Sequence, residues 1–338
     1  MDRGSAERGL TRVVGVGASA GGVDALIRIV GSLPAELPAA ICIVLHVPAT
    51  GRSLLASILD RRTALEVGVP SDGEPLRAGR VYVAPPDRHL TVAAGRFELG
   101  RGPKENGVRP AVDPMLRSLA AAYGEHAVAV ILSGALGDGS TGALAVKQAG
   151  GFVIVQDPDD ATVPSMPESA MRAVGEVDEV LAIEEIGPAL HRLIGGAPSI
   201  REDQIMNADE SSLATGPERP AGPPSAFTCP ECNGPLWEAS EGDLVRYRCR
   251  VGHAYSEESM VIEQGSAVEA ALWSALEALE ERAEFLSRMA ARHAERRPRL
   301  HDRYAGAADD ARDRAELIRR ALGIRGEAPK AFDMQSAE

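Results

Sequence analysis

Three short motifs, each at or near the end of an apolar run, constrain the fold of this chain more than any other feature. They are Gly-Ala-Ser-Ala-Gly-Gly at 17–22, Leu-His-Val-Pro at 45–48 and Gly-Asp-Gly at 137–139. The motifs predict Ser19, His46 and Asp138 at the carboxyl ends of three parallel strands. Active sites of open α/β sheets form at that edge, and these residue types are the parts of a Ser-His-Asp triad.

The region 10–195 alternates apolar runs with helical patterns, which is typical of βαβ units. Strands are predicted at 12–16, 40–45, 80–84, 127–132 and 152–155, and helices at 23–33, 114–123 and 142–148. Two short runs at 90–93 and 96–99 predict an inserted hairpin. The expected fold is a doubly wound, mainly parallel α/β sheet with helices on both faces.

In the remainder of the chain, the sequence pattern predicts three further segments. Residues 196–226 are rich in Ala, Gly, Pro, Ser and acidic residues, and we expect a disordered linker there. A compact Cys/His module is expected at 227–260. At 262–323, two apolar stripes with helical spacing predict an antiparallel helical hairpin, with Pro298 between the helices. The stripes could pack on each other or present a face to a partner protein.

The composition limits the classes of function. The net charge of −13 argues against a general nucleic-acid binder, which would carry a basic face, and against binding to anionic membranes. The N-terminus has no apolar signal region, and no run reaches the roughly 18 apolar residues of a membrane span. We therefore expect a cytoplasmic protein without direct membrane insertion.

Ser19 lies in a G-x-S-x-G pattern, which places a nucleophile on a tight turn between strand and helix. Two alternatives compete. Residues 15–20 also fit the dinucleotide fingerprint G-x-G-x-x-A, but the second strand ends in His46 where that fingerprint expects an acidic residue. An α/β-hydrolase would have the order Ser, Asp, His, whereas this chain has Ser, His, Asp. The order favours an unrelated sheet with converged chemistry.

His46 and Asp138 each have an ordinary structural interpretation. A histidine that closes an apolar strand can simply bond to backbone, and Asp138 could cap the next helix, as aspartate does well. Their position beside Ser19 favours a triad instead, in which Asp138 holds the tautomer of His46 and stabilises its imidazolium.

Cys229, Cys232, Cys249 and His253 form a C-x2-C-x16-C-x3-H pattern. Three thiolates and one imidazole suit a closed tetrahedral Zn²⁺ site with a structural role. The segment is too short to fold on apolar burial alone, so the metal would stabilise it. The alternative is a set of free thiols in a flexible tail. The fourth cysteine, Cys42, lies inside an apolar strand and is expected to be an inert core residue.

The motifs in 10–195 resemble, in order, those of the CheB family of chemotaxis protein-glutamate methylesterases. They are the three motifs above together with Tyr-Val-Ala-Pro at 82–85 and Arg-Pro-Ala-Val-Asp at 109–113. The resemblance implies Ser19 as nucleophile, His46 as general base and Asp138 as its orienting partner. It implies backbone N–H groups near His46 and Ala135 as oxyanion donors, and no cofactor for catalysis. The implied reaction hydrolyses glutamate methyl esters on chemoreceptor cytoplasmic domains, with glutamine deamidation as a second activity.

The chain departs from the family pattern in several places. Ala135 and Leu136 replace the usual Met-Gly of the loop before Asp138, Ala20 replaces a common Thr, and no receiver domain is expected before the first strand. These departures leave the triad intact but keep two alternatives open. One is a non-catalytic methylesterase-like scaffold that binds signalling proteins, through the C-terminal helices for example. The other is an esterase for a different acyl substrate.

Overall fold

The computed structural model describes residues 9–51, 53–201, 204–205, 223–241 and 244–323. The chain divides into two compact units, Met1–Val261 and Ile262–Glu338. No helix in the described part of the chain combines the length and the apolar character that a membrane crossing requires.

A seven-stranded parallel sheet forms the centre of the first unit. Its strands are β1 (Arg12–Ala18), β2 (Ala39–Leu45), β3 (Glu66–Gly68), β4 (Arg80–Val83), β7 (Ala127–Ile131), β8 (Phe152–Gln156) and β9 (Glu179–Leu181). The spatial order is β3-β4-β2-β1-β7-β8-β9. The predicted hairpin is present as β5 (His89–Ala93) and β6 (Arg96–Gly100). The strands β2, β3 and β4 lie on one side of β1, and the later strands β7, β8 and β9 lie on the other, so the topological switch point lies at β1.

Helices cover both faces of the sheet, as predicted. They are α1 (Gly22–Ser32), α2 (Leu55–Asp60), α3 (Val112–Tyr123), α4 (Ser140–Gln148), α5 (Ser165–Val174) and α6 (Ile183–Gly195), with a 3-10 turn at Gly124–His126. One apolar core joins α1 and α6 to the sheet, and a second core lies under α3, α4 and α5. Both faces of the central strands are therefore buried, which explains their continuous apolar runs.

Five of these elements were not predicted from the sequence. Two of them, β3 and β9, are three-residue edge strands without a long apolar run. The helix α6 contains Pro188, which disfavours a helical prediction. The helices α2 and α5 were not predicted either; they bury apolar residues against the two cores at positions such as Leu59 and Met166.

A four-stranded antiparallel sheet follows in the same unit, and we call the module around it the ribbon (residues 224–260). Its strands are β10 (Pro224–Thr228), β11 (Pro235–Glu241), β12 (Leu244–Cys249) and β13 (Ala254–Ser256). The structure differs from the predicted linker, residues 196–226, at both ends of that segment. Ile200 and Ile205 pack against the apolar core under α3, α4 and α5, and β10 begins before the expected boundary at 227. Residues 206–222 of the predicted linker lie outside the described residues.

The predicted helical hairpin is present in the second unit. The helix α7 (Glu257–His293) begins just before the unit boundary, and α8 is Pro298–Ala321. Arg319 pairs with Glu280 at 2.5 Å and His301 with the carbonyl of Ala290, so the helices run antiparallel. The buried residues of the two stripes are Leu276, Ala283, Leu286, Ala290, Ala308, Ala311 and Ala315. Pro298 occupies the first turn of α8, where it needs no N–H donor.

Candidate active site

Ser19 and His46 extend two neighbouring strands by one residue each. The strands β1 and β2 pair in parallel up to Ala18 opposite Leu45, so the next residues, Ser19 and His46, stand side by side at the carboxyl edge. Asp138 lies in the loop that follows β7, which is the other neighbour of β1. The central three strands thus bring the three predicted residues to one edge of the sheet.

The turn at Ser19 depends on glycine on its helical side. Gly21 has φ +78°, a left-handed conformation that glycine adopts without strain. At Gly22 an added Cβ would lie 2.6 Å from the Cβ of Ala18, so only glycine permits this close approach. Ser19 itself donates its N–H to the carbonyl of Ser133 at 3.0 Å, which ties the turn to the loop after β7.

His46 and Asp138 form a short hydrogen bond. The distance from Nε2 of His46 to Oδ2 of Asp138 is 2.6 Å, and the Asp138 side chain is 1% exposed. Because an ionised carboxylate only accepts hydrogen bonds, Nε2 carries the proton. Nδ1 of His46 is then left with a lone pair, which can take a proton from a hydroxyl.

The environment of Asp138 favours its ionised form. Its carboxylate accepts the N–H groups of Val112 at 2.7 Å and Asp113 at 3.2 Å, at the start of α3. Burial would raise the pKa of Asp138, but the hydrogen bond and charge of His46 and these N–H groups hold the pKa below its usual value. Asp138 therefore does not cap the helix that follows it: the N-cap of α4 is Gly139, without a side-chain bond.

Two further residues, which were not predicted from the sequence as part of the site, lie next to Asp138. Asn106 donates its amide to Asp138 Oδ1 and Asp113 Oδ2, both at 3.2 Å. Asp113 in turn accepts the N–H of Gly142 at 2.7 Å. Burial and the charge of Asp138 raise the pKa of Asp113 to about 6. The Asn-Gly pair at 106–107 signals a turn, but nothing in the sequence places Asn106 against Asp138.

The structure corrects one of the two predicted oxyanion donors. The N–H of His46 donates to the carbonyl of Ala18 at 3.1 Å, because His46 continues the ladder between β1 and β2, so this N–H is not free. The N–H of Ala135 has no acceptor among the described residues, and Ala135 is exposed. The N–H of Ala20, the residue after Ser19, is also without an acceptor in that part of the chain.

Ser19 and His46 are adjacent without being hydrogen-bonded to each other among the described residues. Active sites without substrate often hold this bond long, and it tightens when substrate binds. Beside His46 is an open apolar groove of about 360 Å³, with Val23, Leu45, Val47, Leu54 and Ile58 in its wall. A substrate that approaches Ser19 from this side meets an apolar surface.

The four predicted metal ligands come together in the ribbon. The ligand atoms of Cys229, Cys232, Cys249 and His253 all lie within 4.8 Å of one another. The Sγ atoms of Cys232 and Cys249 are 3.6 Å apart, and Nδ1 of His253 is 3.5 Å from Cys249 Sγ. Ligands bound tetrahedrally to Zn²⁺ at about 2.0–2.3 Å are roughly 3.6 Å from each other. The cluster could hold a metal ion.

Comparisons with known proteins identify the family of residues 14–190. Residues 14–190 match the family model described as CheB methylesterase. The protein-glutamate methylesterase/protein-glutamine glutaminase 1 of Paramagnetospirillum magneticum is 41% identical over 186 residues, which cover 54% of this chain and 49% of that protein. The corresponding protein of Symbiobacterium thermophilum is 40% identical over 185 residues, which are 54% of this chain and 51% of that protein. The chain thus spans about half the length of these curated relatives.

A solved structure of a CheB methylesterase catalytic domain also matches this chain. The crystal structure of the Thermotoga maritima CheB methylesterase catalytic domain matches with a TM-score of 0.52 and 39% identity, over 54% of this chain and 99% of that one. The match confirms the predicted fold of the first region. Because the family model covers more than half of the 338 residues, the chain belongs to the CheB methylesterase family.

Proposed function

We propose that this chain hydrolyses glutamate methyl esters on the cytoplasmic domains of chemoreceptors and releases methanol. The observation that carries the proposal is the 2.6 Å bond from His46 to the buried Asp138, beside Ser19 at the carboxyl edge of the sheet. This pair supplies a general base whose tautomer is fixed, next to a hydroxyl on a nucleophile turn. The names of the relatives, protein-glutamate methylesterase/protein-glutamine glutaminase, support the substrate class.

In the first half of the reaction, Oγ of Ser19 attacks the ester carbonyl carbon while Nδ1 of His46 takes the hydroxyl proton. The negative charge moves to the carbonyl oxygen, where the N–H groups of Ala135 and Ala20 are the donors we assign. Each such donor stabilises the transition state by about 3 kcal/mol. The intermediate collapses as the C–OCH₃ bond breaks. His46 returns its proton to the leaving oxygen, and methanol departs.

In the second half, a water molecule attacks the glutamyl ester of Ser19 and gives its proton to His46. The C–Oγ bond breaks, His46 protonates Oγ, and the product is a glutamic acid side chain, which loses its proton to solvent and becomes a carboxylate. Asp138 stabilises the imidazolium in both halves. A glutamine side chain would follow the same course with ammonia as the leaving group, which makes deamidation the second activity of the same site.

We further propose that the ribbon holds a structural Zn²⁺. Four protein ligands would fill the tetrahedral shell, so the ion would have no open position for substrate. The ribbon core contains few large side chains, chiefly Leu236, Tyr255 and Met260 beside the cysteines, and metal binding would supply most of its folding free energy. Catalysis itself needs no cofactor in this proposal.

The test of the esterase is methanol release from methylated receptor cytoplasmic domains, with the Ser19→Ala variant as the matched control. We expect release by the wild-type chain and none by the variant. An active-site fluorophosphonate, which labels an activated serine, separates the alternatives. Labelling of Ser19 without methanol release would show an esterase for another acyl substrate. The absence of both labelling and methanol release would favour the non-catalytic scaffold.

A further inference from the structure

The ribbon is attached to the catalytic domain at the loop that leads into α3. Glu105 and Ala254 form a parallel bridge, and the N–H of Asn106 donates to the carbonyl of Ala254 at 2.7 Å. One residue before, Lys104 pairs with Glu231 of the ribbon at 2.7 Å. The edge of the ribbon sheet thus continues directly into the segment that carries Asn106.

A buried ion pair anchors this contact. Arg246 of β12 donates to Glu105 at 2.9 Å, and Arg117 of α3 donates to the other oxygen at 2.6 Å. Burial would raise the pKa of Glu105, but the charges of Arg117 and Arg246 hold it far below its usual value. Removing one partner of such a buried pair is strongly destabilising, so this ion pair holds the ribbon against the segment that carries Asn106.

The side-chain amide of Asn106 has a polar partner at each of its four hydrogen-bonding positions. Its Oδ1 accepts the N–H of Ser256 at 3.0 Å and lies 3.0 Å from the hydroxyl of Ser259. Its Nδ2 faces two carboxylates, Asp113 and the triad residue Asp138. Because the oxygen meets an N–H donor and the nitrogen meets carboxylates, the orientation of the amide is unambiguous.

One side chain therefore links the ribbon to the triad. We propose that Asn106 is a positioning residue for Asp138, and that the ribbon, through Ser256 and Ser259, holds its amide in the orientation that the triad requires. The inference rests on the proposed esterase function, and it gives the C-terminal module a part in catalysis. Asn106 bonds to the side of Asp138 away from His46, so it acts through Asp138 and touches no reacting atom.

The first test replaces Asn106 by glycine. Asn106 has φ +53°, so Asn106→Gly removes the amide without straining the backbone. The free energy of a hydrogen bond to a charged group, when it is lost from the transition state, corresponds to about a 10- to 100-fold decrease in rate. We expect kcat for methanol release, and the rate of fluorophosphonate labelling at Ser19, to fall by about that factor, while KM for the receptor domain stays within about twofold. A merely structural role would change the melting temperature without this split between kcat and KM.

The second test asks whether the ribbon acts through Asn106. Ser259→Ala removes the hydroxyl beside Oδ1, and its matched control is Ser274→Ala, whose hydroxyl donates to the carbonyl of Ala270 within α7. We expect Ser259→Ala to slow labelling by about three- to tenfold in the wild-type background and to have no further effect in the Asn106→Gly background. Ser274→Ala should label at the wild-type rate.

The inference would be overturned if Ser259→Ala slowed the labelling of Ser19 equally in both backgrounds. It would also be overturned if the Asn106→Gly variant were labelled at the wild-type rate. The His46 Nε2–H resonance in NMR gives a readout that needs no turnover. It should shift in Asn106→Gly and in Ser259→Ala, and an unchanged resonance in both would also overturn the inference. If labelling occurs but methanol release does not, only the proposed substrate fails, and the labelling rates and the resonance still decide the role of Asn106.

Discussion

The Asp138 oxygen that accepts Nε2–H of His46 at 2.6 Å also accepts the N–H of Val112 at 2.7 Å. Val112 is the first residue of α3, so one oxygen atom joins the base of the triad to the start of a helix. The amino end of a helix favours negative charge. The start of α3 thereby holds the carboxylate of Asp138, a loop residue, in place against the imidazole.

Asp138→Asn is expected to lower kcat by about 10³- to 10⁴-fold, because an amide in this place supports the wrong tautomer of the histidine. The substitution should also destabilise the fold, since the NH₂ group of the new amide would face N–H donors that the carboxylate now accepts. The measurement is methanol release together with urea unfolding. The control is Ser19→Ala, which should abolish activity and leave the stability within about 0.5 kcal/mol of wild type. Near-normal kcat in Asp138→Asn would contradict the assigned role.

Gly134→Ala tests the close packing behind the nucleophile. An added Cβ would lie 2.0 Å from Sδ of Met166 and 2.8 Å from the Cβ of Ser19. Displacing a catalytic group by about 1 Å can cost about 100-fold in rate, so we expect kcat to fall by about 10- to 100-fold. The matched control is Gly306→Ala on α8, where an added Cβ meets open space and alanine favours the helix. Equal activity of both variants would contradict the prediction.

Glu105→Gln should reveal a pH-dependent contribution to stability. The folded pKa of Glu105 is far below its usual 4.5, so the unfolded chain binds this proton more readily. The carboxylate therefore stabilises the fold fully above about pH 4.5, and the contribution is lost as the pH falls toward the folded pKa. At neutral pH we expect Glu105→Gln to cost about 3 kcal/mol, and the difference from wild type to shrink in acid.

Urea unfolding at neutral pH and in steps down to about pH 3 measures this difference. The control is Glu284→Gln, whose exposed pair with Arg288 on α7 should contribute less than about 1 kcal/mol at any pH. A gap between wild type and Glu105→Gln that stays constant with pH would show that Glu105 does not titrate as described.

Removing the metal should expose three thiols and leave the fourth protected. With zinc bound, Cys229, Cys232 and Cys249 are expected to resist alkylation, and a chelator should make all three reactive. Cys42 is the internal control, because complete burial raises its pKa strongly and keeps it protonated. Mass spectrometry counts the labels, and metal analysis should find about one zinc per chain. Equal labelling with and without chelator would argue against the metal site.

The sequence was sufficient to predict that Ser19, His46 and Asp138 lie together, because each residue follows an apolar run that is typical of a strand. Parallel strands end at a common edge, so Ser19, His46 and Asp138 could be brought together without knowing the rest of the fold. The clustering of Cys229, Cys232, Cys249 and His253 was likewise predictable from their spacing. In both cases the information is local, in the sense that a few residues around each side chain determine its position.

Asn106 could not be found in this way. Its partners Ser256 and Ser259 follow 150 and 153 residues later in the chain, and no local pattern records that contact. The N–H of His46 shows the opposite error. Its motif suggested a free donor, but the continued pairing of β1 and β2 uses it. Hydrogen-bond partners depend on how strands and modules meet, and that information lies in tertiary contacts rather than in motifs.

The bridge between Glu105 and Ala254 lies one residue from Asn106 on one side and one residue from His253, a proposed metal ligand, on the other. Loss of the proposed zinc would therefore act on a segment whose backbone is hydrogen-bonded to Asn106. The effect would reach the carboxylate of Asp138 through Asn106, while Ser19, His46 and Asp138 themselves stay chemically unchanged.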